Sequence, residues 1–316
     1  MDSLEVITMG RVGVDMYPEQ IGVTLAEVRT FAKSLGGSST NVAVAAARLG
    51  RRAAVITKVG SDAFGDYVRR ALTGFGVDTR WVSTDPTLRT PIVFCEIHPP
   101  DRFPLLFYRE PKAPDMNLVT ADLDTAAIAA VPLFWTTGTG LSDEPSRTAT
   151  LAALDARKGR EITIHDLDYR TMFWRSSDDA RRWAREALRR ATVVVGNSDE
   201  AEMATGLRDP RTAAAALLEM GPRLAIVKRG GEGAYARTAR DEVSVAAVEI
   251  PVLNGLGAGD AFGGALCHGL LAGWSLARTL AAANAAGAIV ASRLACADAM
   301  PTLAEIEALL AREVSA

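Results

Sequence analysis

Short, continuous apolar runs alternate along this chain with longer runs in which apolar positions have helical spacing. The apolar runs predict six strands, at Val6–Met9, Ala53–Val59, Leu133–Thr137, Glu161–His165, Thr192–Val195 and Leu224–Val227. Helical spacing is clearest at Asn41–Leu49, Ala63–Phe75 and Arg181–Arg190. Because strands that are apolar throughout are covered on both faces, this order predicts a largely parallel sheet between helices, the α/β class.

Two segments, Glu19–Ser34 and Pro91–Ala113, interrupt this order and predict strands outside the main sheet. They form either a small β-sheet lid over a site or a pair of surface hairpins. After Asp260 the pattern is helical, at Leu266–Ala272, Leu276–Leu294 and Leu303–Val314. No second-domain boundary is visible, so we expect residues 1–316 to form a single domain, with lid segments at about 16–34 and 91–113.

Composition narrows the class of ligand. With 316 residues, 48% of them hydrophobic, the chain can bury a large core. A formal net charge of -3 gives no basic field, which argues against nucleic acid or an anionic membrane as partner. A small molecule is the expected ligand.

Cysteine and histidine are sparse, with three residues of each type and no metal-ligand spacing, so a zinc site is not expected. Sparse cysteine fits a reducing compartment. The first residues, MDSLEVITMG, lack a basic stretch followed by an apolar run, and no apolar segment approaches the ~18 residues that span a bilayer. A cytoplasmic protein is therefore expected.

The segment NGLGAGDAF, from Asn254 to Phe262, is a glycine-rich turn that leads into a helical pattern. Glycines allow close approach of the backbone to a ligand, and the first amides of a helix lack intrahelical partners and bind anions. A carboxylate beside that site, Asp260, can accept a proton. The alternative is an ordinary loop in which Asp260 caps the helix.

A second glycine-rich segment, LGGSSTN, lies near the amino terminus and also precedes a helical pattern. Its Asn41 offers a donor and an acceptor to a hydroxyl-bearing ligand, and Asp15, after the first strand, can accept hydroxyl groups. The alternatives are a helix cap and a turn residue. The nearby MGRVGVD lacks GxGxxG spacing, which argues against a dinucleotide site.

Two further motifs follow predicted strands. NSDEAE, from Asn197 to Glu202, places oxygens suited to Mg²⁺ at the carboxyl end of a strand, although the same residues also suit a helix cap. VKRGGEGAY, from Val227 to Tyr235, predicts a hairpin, and its Lys228 could face phosphates.

Taken in order, LGGSSTN, NSDEAE, VKRGGEG and GAGDAF resemble the motifs of the ribokinase-like (PfkB) carbohydrate kinases, over nearly the whole chain. The resemblance implies a three-layer α/β/α ribokinase-like fold with a mostly parallel central sheet and a small β-sheet lid. It also implies ATP and Mg²⁺ as cofactors, and a homodimer that pairs through the lid.

The same resemblance implies roles by position. Asp260 corresponds to the catalytic base, and the backbone of Gly257, Ala258 and Gly259 to the anion hole. The implied sugar contacts are Asp15, Gly36, Gly37 and Asn41, the implied magnesium pair is Asn197 and Glu200, and the residues implied for the nucleotide are Lys228, Gly231 and Asn284. Asn254 stands where relatives carry an aspartate that helps to shape a loop binding a monovalent cation, so dependence on such a cation stays open. Leu294 and Ala295 stand where relatives carry a more polar pair, so the contacts at the nucleotide edge also stay open.

Two arginines beside aromatic residues indicate an acidic sugar: Arg109 with Tyr108 in LLFYREPKAPD, and Arg170 in HDLDYRTMFW. A guanidinium group matches a carboxylate bidentately, whereas a neutral sugar offers it no anion. Surface ion pairs are the alternative for both arginines.

Similar arginine patterns occur in family members that phosphorylate keto-deoxy sugar acids. NGLGAGD, CADAMPT and the stretch from Tyr17 to Ser38 resemble the member that acts on 5-dehydro-2-deoxy-D-gluconate in myo-inositol catabolism, which implies a 6-phosphate product. The nearest alternative substrate is 2-dehydro-3-deoxygluconate. A sugar-binding sensor without catalysis and a non-enzymatic scaffold are the alternatives from other classes.

Overall fold

The computed structural model describes residues 3–157, 160 and 162–315. These residues contain thirteen strands: β1 Val6–Met9, β2 Gly13–Pro18, β3 Phe31–Gly36, β4 Ala53–Gly60, β5 Val82–Asp85, β6 Ile92–Cys95, β7 Leu105–Tyr108, β8 Leu133–Thr137, β9 Ile162–Asp166, β10 Val193–Asn197, β11 Leu224–Lys228, β12 Ala234–Thr238 and β13 Glu242–Val245. Ten helices accompany them: α1 Ser38–Arg48, α2 Ala63–Gly74, α3 Thr125–Ala130, α4 Ser146–Arg157, α5 Ser177–Leu188, α6 Ser198–Thr205, α7 Pro210–Glu219, α8 Ala258–Leu271, α9 Leu276–Ala291 and α10 Leu303–Ser315.

Nine strands form one large sheet in the order β13-β12-β11-β10-β9-β8-β1-β4-β5. The strands from β11 to β5 pair in parallel, and β12 and β13 extend the edge in antiparallel pairing. The six strands expected from the sequence all appear within two residues of their predicted ends, although Glu161, the first residue of one of them, lies outside the described residues. The hairpin expected at VKRGGEGAY is the β11–β12 pair and is confirmed.

Helices cover both faces of this sheet, because side chains of alternate residues point to opposite faces. On β8, Leu133 and Trp135 join the core under α1, α2, α8, α9 and α10, whereas Phe134 joins a second core under α3 and α4. Helices α5, α6 and α7 pack on that second face over β10 and β11. The expected three-layer α/β/α fold with a mostly parallel sheet is confirmed.

A separate four-stranded sheet, the small sheet, has the order β3-β2-β6-β7. Strands β2 and β6 are parallel and the other pairs are antiparallel. The sequence placed Asp15 at the end of the first strand, but the chain turns at Gly10, where φ is +146°, and Asp15 lies within β2. Among the described residues no helix has both the length and the apolar character that a membrane crossing needs.

Candidate active site

The glycine-rich turn ends at the amino terminus of α8, where Gly257 is the N-cap with a φ of +83°. A Cβ atom at Gly257 would lie 2.6 Å from Cys296 Sγ, so the turn requires glycine there. Asn254 stabilises the turn from inside, since its Nδ2 donates to Leu294 O and its Oδ1 accepts from Leu256 N. The first amides of α8, which lack intrahelical acceptors, form an anion-binding terminus.

Asp260 lies in the first turn of α8, and both of its carboxylate oxygens accept hydrogen bonds from α1. Ser38 Oγ donates to Oδ1 at 3.0 Å, and Asn41 Nδ2 donates to Oδ2 at 2.8 Å. The two helices approach closely because Gly264 faces Ala45; a Cβ at Gly264 would lie 2.2 Å from Ala45 Cβ. Small residues at the crossing therefore bring the two glycine-rich motifs, about two hundred residues apart, into one site.

Burial raises the pKa of Asp260, and the negative charge of Asp168 adds to this effect. The hydrogen bond from Asn41 and the positive charge of Arg11 act in the opposite direction but do not cancel it. A carboxylate with a raised pKa that is fixed by two donors is suited to take a proton from a bound hydroxyl group.

Asp15 lies in the middle of β2, against the backbone of β3. A Cβ at Gly36 would lie 2.1 Å from Asp15 Oδ1, so only glycine leaves room for the carboxylate there. Burial, reinforced by the charge of Asp260, raises the pKa of Asp15 to about 6, although Arg11 and the hydroxyl of Tyr17 favour its ionised form. Asp15 is 9% exposed.

Replacing Asp15 by asparagine is expected to make stability less dependent on pH. Because the pKa of Asp15 in the folded protein, about 6, is above its ordinary 3.8, folding favours the protonated form. The stabilisation from that proton is complete below about pH 4 and is lost as pH rises through 6. Between pH 4 and pH 7 the free energy of unfolding of Asp15→Asn should therefore rise relative to the wild type by about 2 kcal/mol. Urea unfolding at both pH values measures it, and a difference that does not change with pH would show that Asp15 ionises normally.

Charged side chains collect at the carboxyl ends of β9, β10 and β11. Lys228, at the end of β11, has its Nζ 3.6 Å from Asp166 Oδ2 at the end of β9. Burial raises the pKa of Asp166 despite that lysine. Burial acts to lower the pKa of Lys228, but the surrounding carboxylates, Asp166 first, outweigh it and raise the pKa. A lysine that stays protonated in this position is suited to an anionic ligand.

Arg170 lies beside this cluster, with Nη2 3.4 Å from Asp168 Oδ1 and Nη1 4.0 Å from Glu200 Oε1. Asp168 is a non-glycine residue with a φ of +29°, and Thr139 Oγ1 donates to its Oδ2 at 2.6 Å. Backbone strain of this kind concentrates at functional sites.

Asn197 and Glu200 form the capping box of α6, which is the helix cap that the sequence analysis gave as the alternative for this motif. Asn197 Oδ1 accepts from Glu200 N at 2.8 Å, and Glu200 Oε2 accepts from Asn197 N at 2.7 Å. Oε1 of Glu200 takes no part in this box. In the described part of the chain no group of three or more His, Cys, Asp or Glu side chains is placed to hold a metal ion by itself.

A cavity of about 770 Å³ connects these groups, a volume in the usual range for small-molecule sites. It brings together most of the residues that the sequence singled out: Arg170, Asn197, Glu200, Lys228, Gly231, Gly257, Ala258, Gly259, Asp260 and Asn284. One end is charged, and the other has apolar walls from Val248, Ile250 and Ala288. Asp15, Gly36, Gly37 and Asn41 do not line it; Asn41 reaches it through Asp260.

Tyr108 and Arg109, which the sequence assigned to the lid, do not line this cavity. Tyr108 is 60% exposed and packs edge-on against Phe94, so it does not face the site. Arg109 lines a smaller cavity of about 400 Å³, where Nη2 and Nη1 donate to Asp115 Oδ1 and Oδ2 at 2.5 and 3.1 Å. Phe107 lines both cavities, which therefore adjoin.

Sequence reasoning missed three residues that line the cavity, Ser38, Asp166 and Asp168. It also missed Arg11, whose charge acts on Asp15 and Asp260. The two aspartates follow a predicted strand in HDLD, so the rule that ligands bind at carboxyl ends of parallel strands could have found them. Arg11 is 8% exposed, and the signal for it is an arginine within an apolar stretch.

Comparison with known proteins shows which family the chain belongs to. The family model for "pfkB family carbohydrate kinase" matches residues 4–303. The 5-dehydro-2-deoxygluconokinase of Geobacillus kaustophilus is 32% identical over 96% of this chain and 92% of its own length, and that of Photobacterium profundum is 35% identical over 95% and 92%. The crystal structure of a putative ribokinase II from E. coli in complex with ATP and Mg²⁺ has a TM-score of 0.89 at 25% identity, covering 98% of this chain and 99% of that one. The chain therefore belongs to the pfkB family of carbohydrate kinases.

Proposed function

We propose that this protein transfers the γ-phosphoryl group of ATP to the terminal primary hydroxyl of 5-dehydro-2-deoxy-D-gluconate, giving the 6-phosphate. The observation that carries the proposal is Asp260, oriented by Ser38 and Asn41 beside the amides of the α8 terminus in one cavity. The named relatives support the choice of this sugar acid.

In the proposed reaction Asp260 accepts the proton of the terminal hydroxyl as its oxygen forms a bond to the γ-phosphorus. The bond between that phosphorus and the oxygen bridging to the β-phosphate breaks, and ADP leaves. Negative charge on the transferred group is stabilised by the amides of Gly257, Ala258 and Gly259. By resemblance to the family, the sugar contacts are assigned to Asp15, Asn41 and the backbone of Gly36 and Gly37. These residues do not line the cavity themselves, and Asn41 is linked to it through Asp260.

Lys228 is placed to serve the phosphates, because its Nζ lies 3.4 Å from the position that a Cβ of Gly259 would take. A partly buried lysine this close to the glycine-rich turn supports phosphate contact. The nucleotide is assigned to the apolar end of the cavity, beside Gly231 and Asn284. Asn284 Nδ2 donates to Ala246 O at 3.0 Å, which fixes that edge.

The oxygens near Asn197 and Glu200 fit Mg²⁺, because this ion keeps several waters and needs only one or two protein carboxylates when phosphates supply the other ligands. Glu200 Oε1 and the neighbouring Asp166 and Asp168 provide such carboxylates in the same cavity. When bound, Mg²⁺ would neutralise charge on the phosphates.

The small sheet is proposed as a lid, since Phe107 of β7 and the preceding Phe103 line the cavity. Strand β7 is also a free sheet edge on which Leu106 is 48% and Tyr108 60% exposed. An edge of this kind favours pairing of two lids, and we propose a homodimer. Sedimentation equilibrium tests it; a monomer at micromolar concentration would contradict it.

The experiment that tests the function is ATP-coupled turnover with 5-dehydro-2-deoxygluconate, 2-dehydro-3-deoxygluconate, ribose and fructose, with and without Mg²⁺. We expect the highest kcat/KM for the first acid and no turnover without Mg²⁺. A higher kcat/KM for 2-dehydro-3-deoxygluconate would make that acid the substrate instead. Turnover of neutral sugars alone would show that the substrate is not a sugar acid. No turnover with any sugar would favour a sensor.

A further inference from the structure

Arg11 lies between β1 and β2, and its backbone is fixed from three sides. Its carbonyl oxygen accepts from Ser39 Oγ at 3.0 Å and from Thr40 Oγ1 at 2.9 Å. The next amide, Val12 N, donates to Asp115 Oδ2 at 2.9 Å. A Cβ at Gly37 would lie 2.3 Å from Arg11 O, so the start of α1 closes against this residue. The backbone position from which the Arg11 side chain starts is therefore well determined.

The side chain of Arg11 is buried but forms no ion pair in the described part of the chain. The residue is 8% exposed, and its Nε is buried with no hydrogen-bond partner. Its guanidinium carbon lies 5.7 Å from the centre of the Phe107 ring. Within residues 3–157, 160 and 162–315, no carboxylate is at ion-pair distance from Arg11. A buried guanidinium group without a direct carboxylate partner is unfavourable, so this arrangement suits an anionic ligand.

The other two arginines of the region already have carboxylate partners. Arg109 makes a bidentate pair with Asp115, and Arg170 lies between Asp168 and Glu200. Either would have to share or lose an internal ion pair to bind a ligand carboxylate. Arg11 would lose no ion pair on binding a ligand carboxylate.

The position of Arg11 suits the far end of a six-carbon acid. Its charge acts on both Asp15 and Asp260, yet it forms neither an ion pair nor a hydrogen bond with Asp260. Phe107, whose ring is near the guanidinium group, lines the large cavity that contains Asp260, although Arg11 itself does not line it. An extended acid whose terminal hydroxyl meets Asp260 can therefore direct its carboxylate toward Arg11.

We propose that Arg11, beside the ring of Phe107, binds the carboxylate of the sugar acid and so determines the preference for acids over neutral sugars. This proposal rests on the proposed function and moves the carboxylate contact from Arg109 and Arg170 to Arg11. The guanidinium plane supplies two parallel donors to the carboxylate, and the nearby ring of Phe107 attracts the cation.

The test compares the acid with its uncharged carboxamide in the wild type, Arg11→Met and Arg11→Lys. Removing one partner of a buried charge pair should lower kcat/KM for the acid by about 100-fold in Arg11→Met. For the carboxamide the change should stay within about 3-fold, and the KM for ATP should not change. Arg11→Lys keeps the charge without the planar fork and should recover part of the loss.

A binding measurement without ATP supports the kinetics. The acid should raise the Tm of the wild type, and this shift should disappear in Arg11→Met. The ligand-free Tm of that variant should equal or exceed that of the wild type, because a buried charge without a direct ion pair has been removed. Arg278→Met is the matched control, since the guanidinium carbon of Arg278 also lies over an aromatic ring, 4.0 Å from the centre of Trp274, but the residue is exposed rather than buried.

The outcomes separate the two proposals. Equal losses for acid and carboxamide in Arg11→Met, or an acid-induced Tm shift that persists, would overturn the role of Arg11 while the proposed function stands. A wild type that does not prefer the acid to the carboxamide would also overturn the role of Arg11 alone, whereas a wild type that does not phosphorylate the acid would overturn both proposals.

Discussion

Asp260→Asn is expected to lower kcat by about 10²- to 10⁴-fold, the range for loss of a general base. The amide cannot take the proton of the sugar hydroxyl, but its oxygen still accepts the hydrogen bond that Asn41 donates to the carboxylate at 2.8 Å. Dissociation constants for ATP and for the sugar acid should therefore stay within about 3-fold of the wild type, since ground-state contacts persist. Steady-state kinetics and calorimetry measure the two quantities.

Asp66→Asn is the control for this substitution, because Asp66 also lies in the first turn of a helix, α2, but is exposed. It should leave kcat unchanged. If Asp260→Asn kept wild-type turnover, the assignment of the base would be wrong. If it lost sugar binding as well, the residue would be a binding group rather than a base.

Gly257→Ala is expected to lower kcat by about 10²-fold, the effect of losing one donor to the developing charge. Two physical effects combine at this position. The backbone φ of +83° is unfavourable for alanine, and the new Cβ would lie 2.6 Å from Cys296 Sγ. The turn must then move, which displaces the amides of the α8 terminus. Kinetics at saturating ATP and sugar acid check the prediction.

Two further variants separate the effect of backbone strain at residue 257 from the effect of displacing the α8 amides. Gly206→Ala has nearly the same φ, +81°, at the C-cap of α6, and nothing lies within 4 Å of its Cβ position. It should cost about 1 kcal/mol of stability and leave kcat unchanged. Gly257→Ala combined with Cys296→Ala removes the steric contact and should recover part of kcat. Full activity in Gly257→Ala alone would contradict the anion-hole assignment.

The sequence predicted the layers of the fold well because the central strands are apolar throughout. Leu133–Thr137 and Val6–Met9 have no other stable position than between two helical layers. It did not predict α4, whose apolar positions are mostly alanine and so give little contrast, or β5 and β13, which are four residues long and lie at sheet edges. Short edge strands depend on pairing with neighbours rather than on their own pattern.

The candidate site was predictable where topology alone brings residues together. The ends of parallel strands and the starts of the following helices meet at one edge, which is why Asp260, Lys228 and Glu200 share a cavity. Side-chain pairing could not be predicted in the same way. Neighbouring residues on β7 point in opposite directions, so Phe107 faces the cavity while Tyr108 is exposed, and the sequence does not reveal which face is which.

Phosphorus NMR of the reaction products tests the central claim most directly. The protein is incubated with ATP, Mg²⁺ and 5-dehydro-2-deoxygluconate, and the phosphorus spectrum is recorded with coupling to protons. The account predicts ADP and one new phosphomonoester whose phosphorus couples to the two protons of the terminal carbon. ADP with inorganic phosphate and no ester, or an ester on a different carbon, would contradict it.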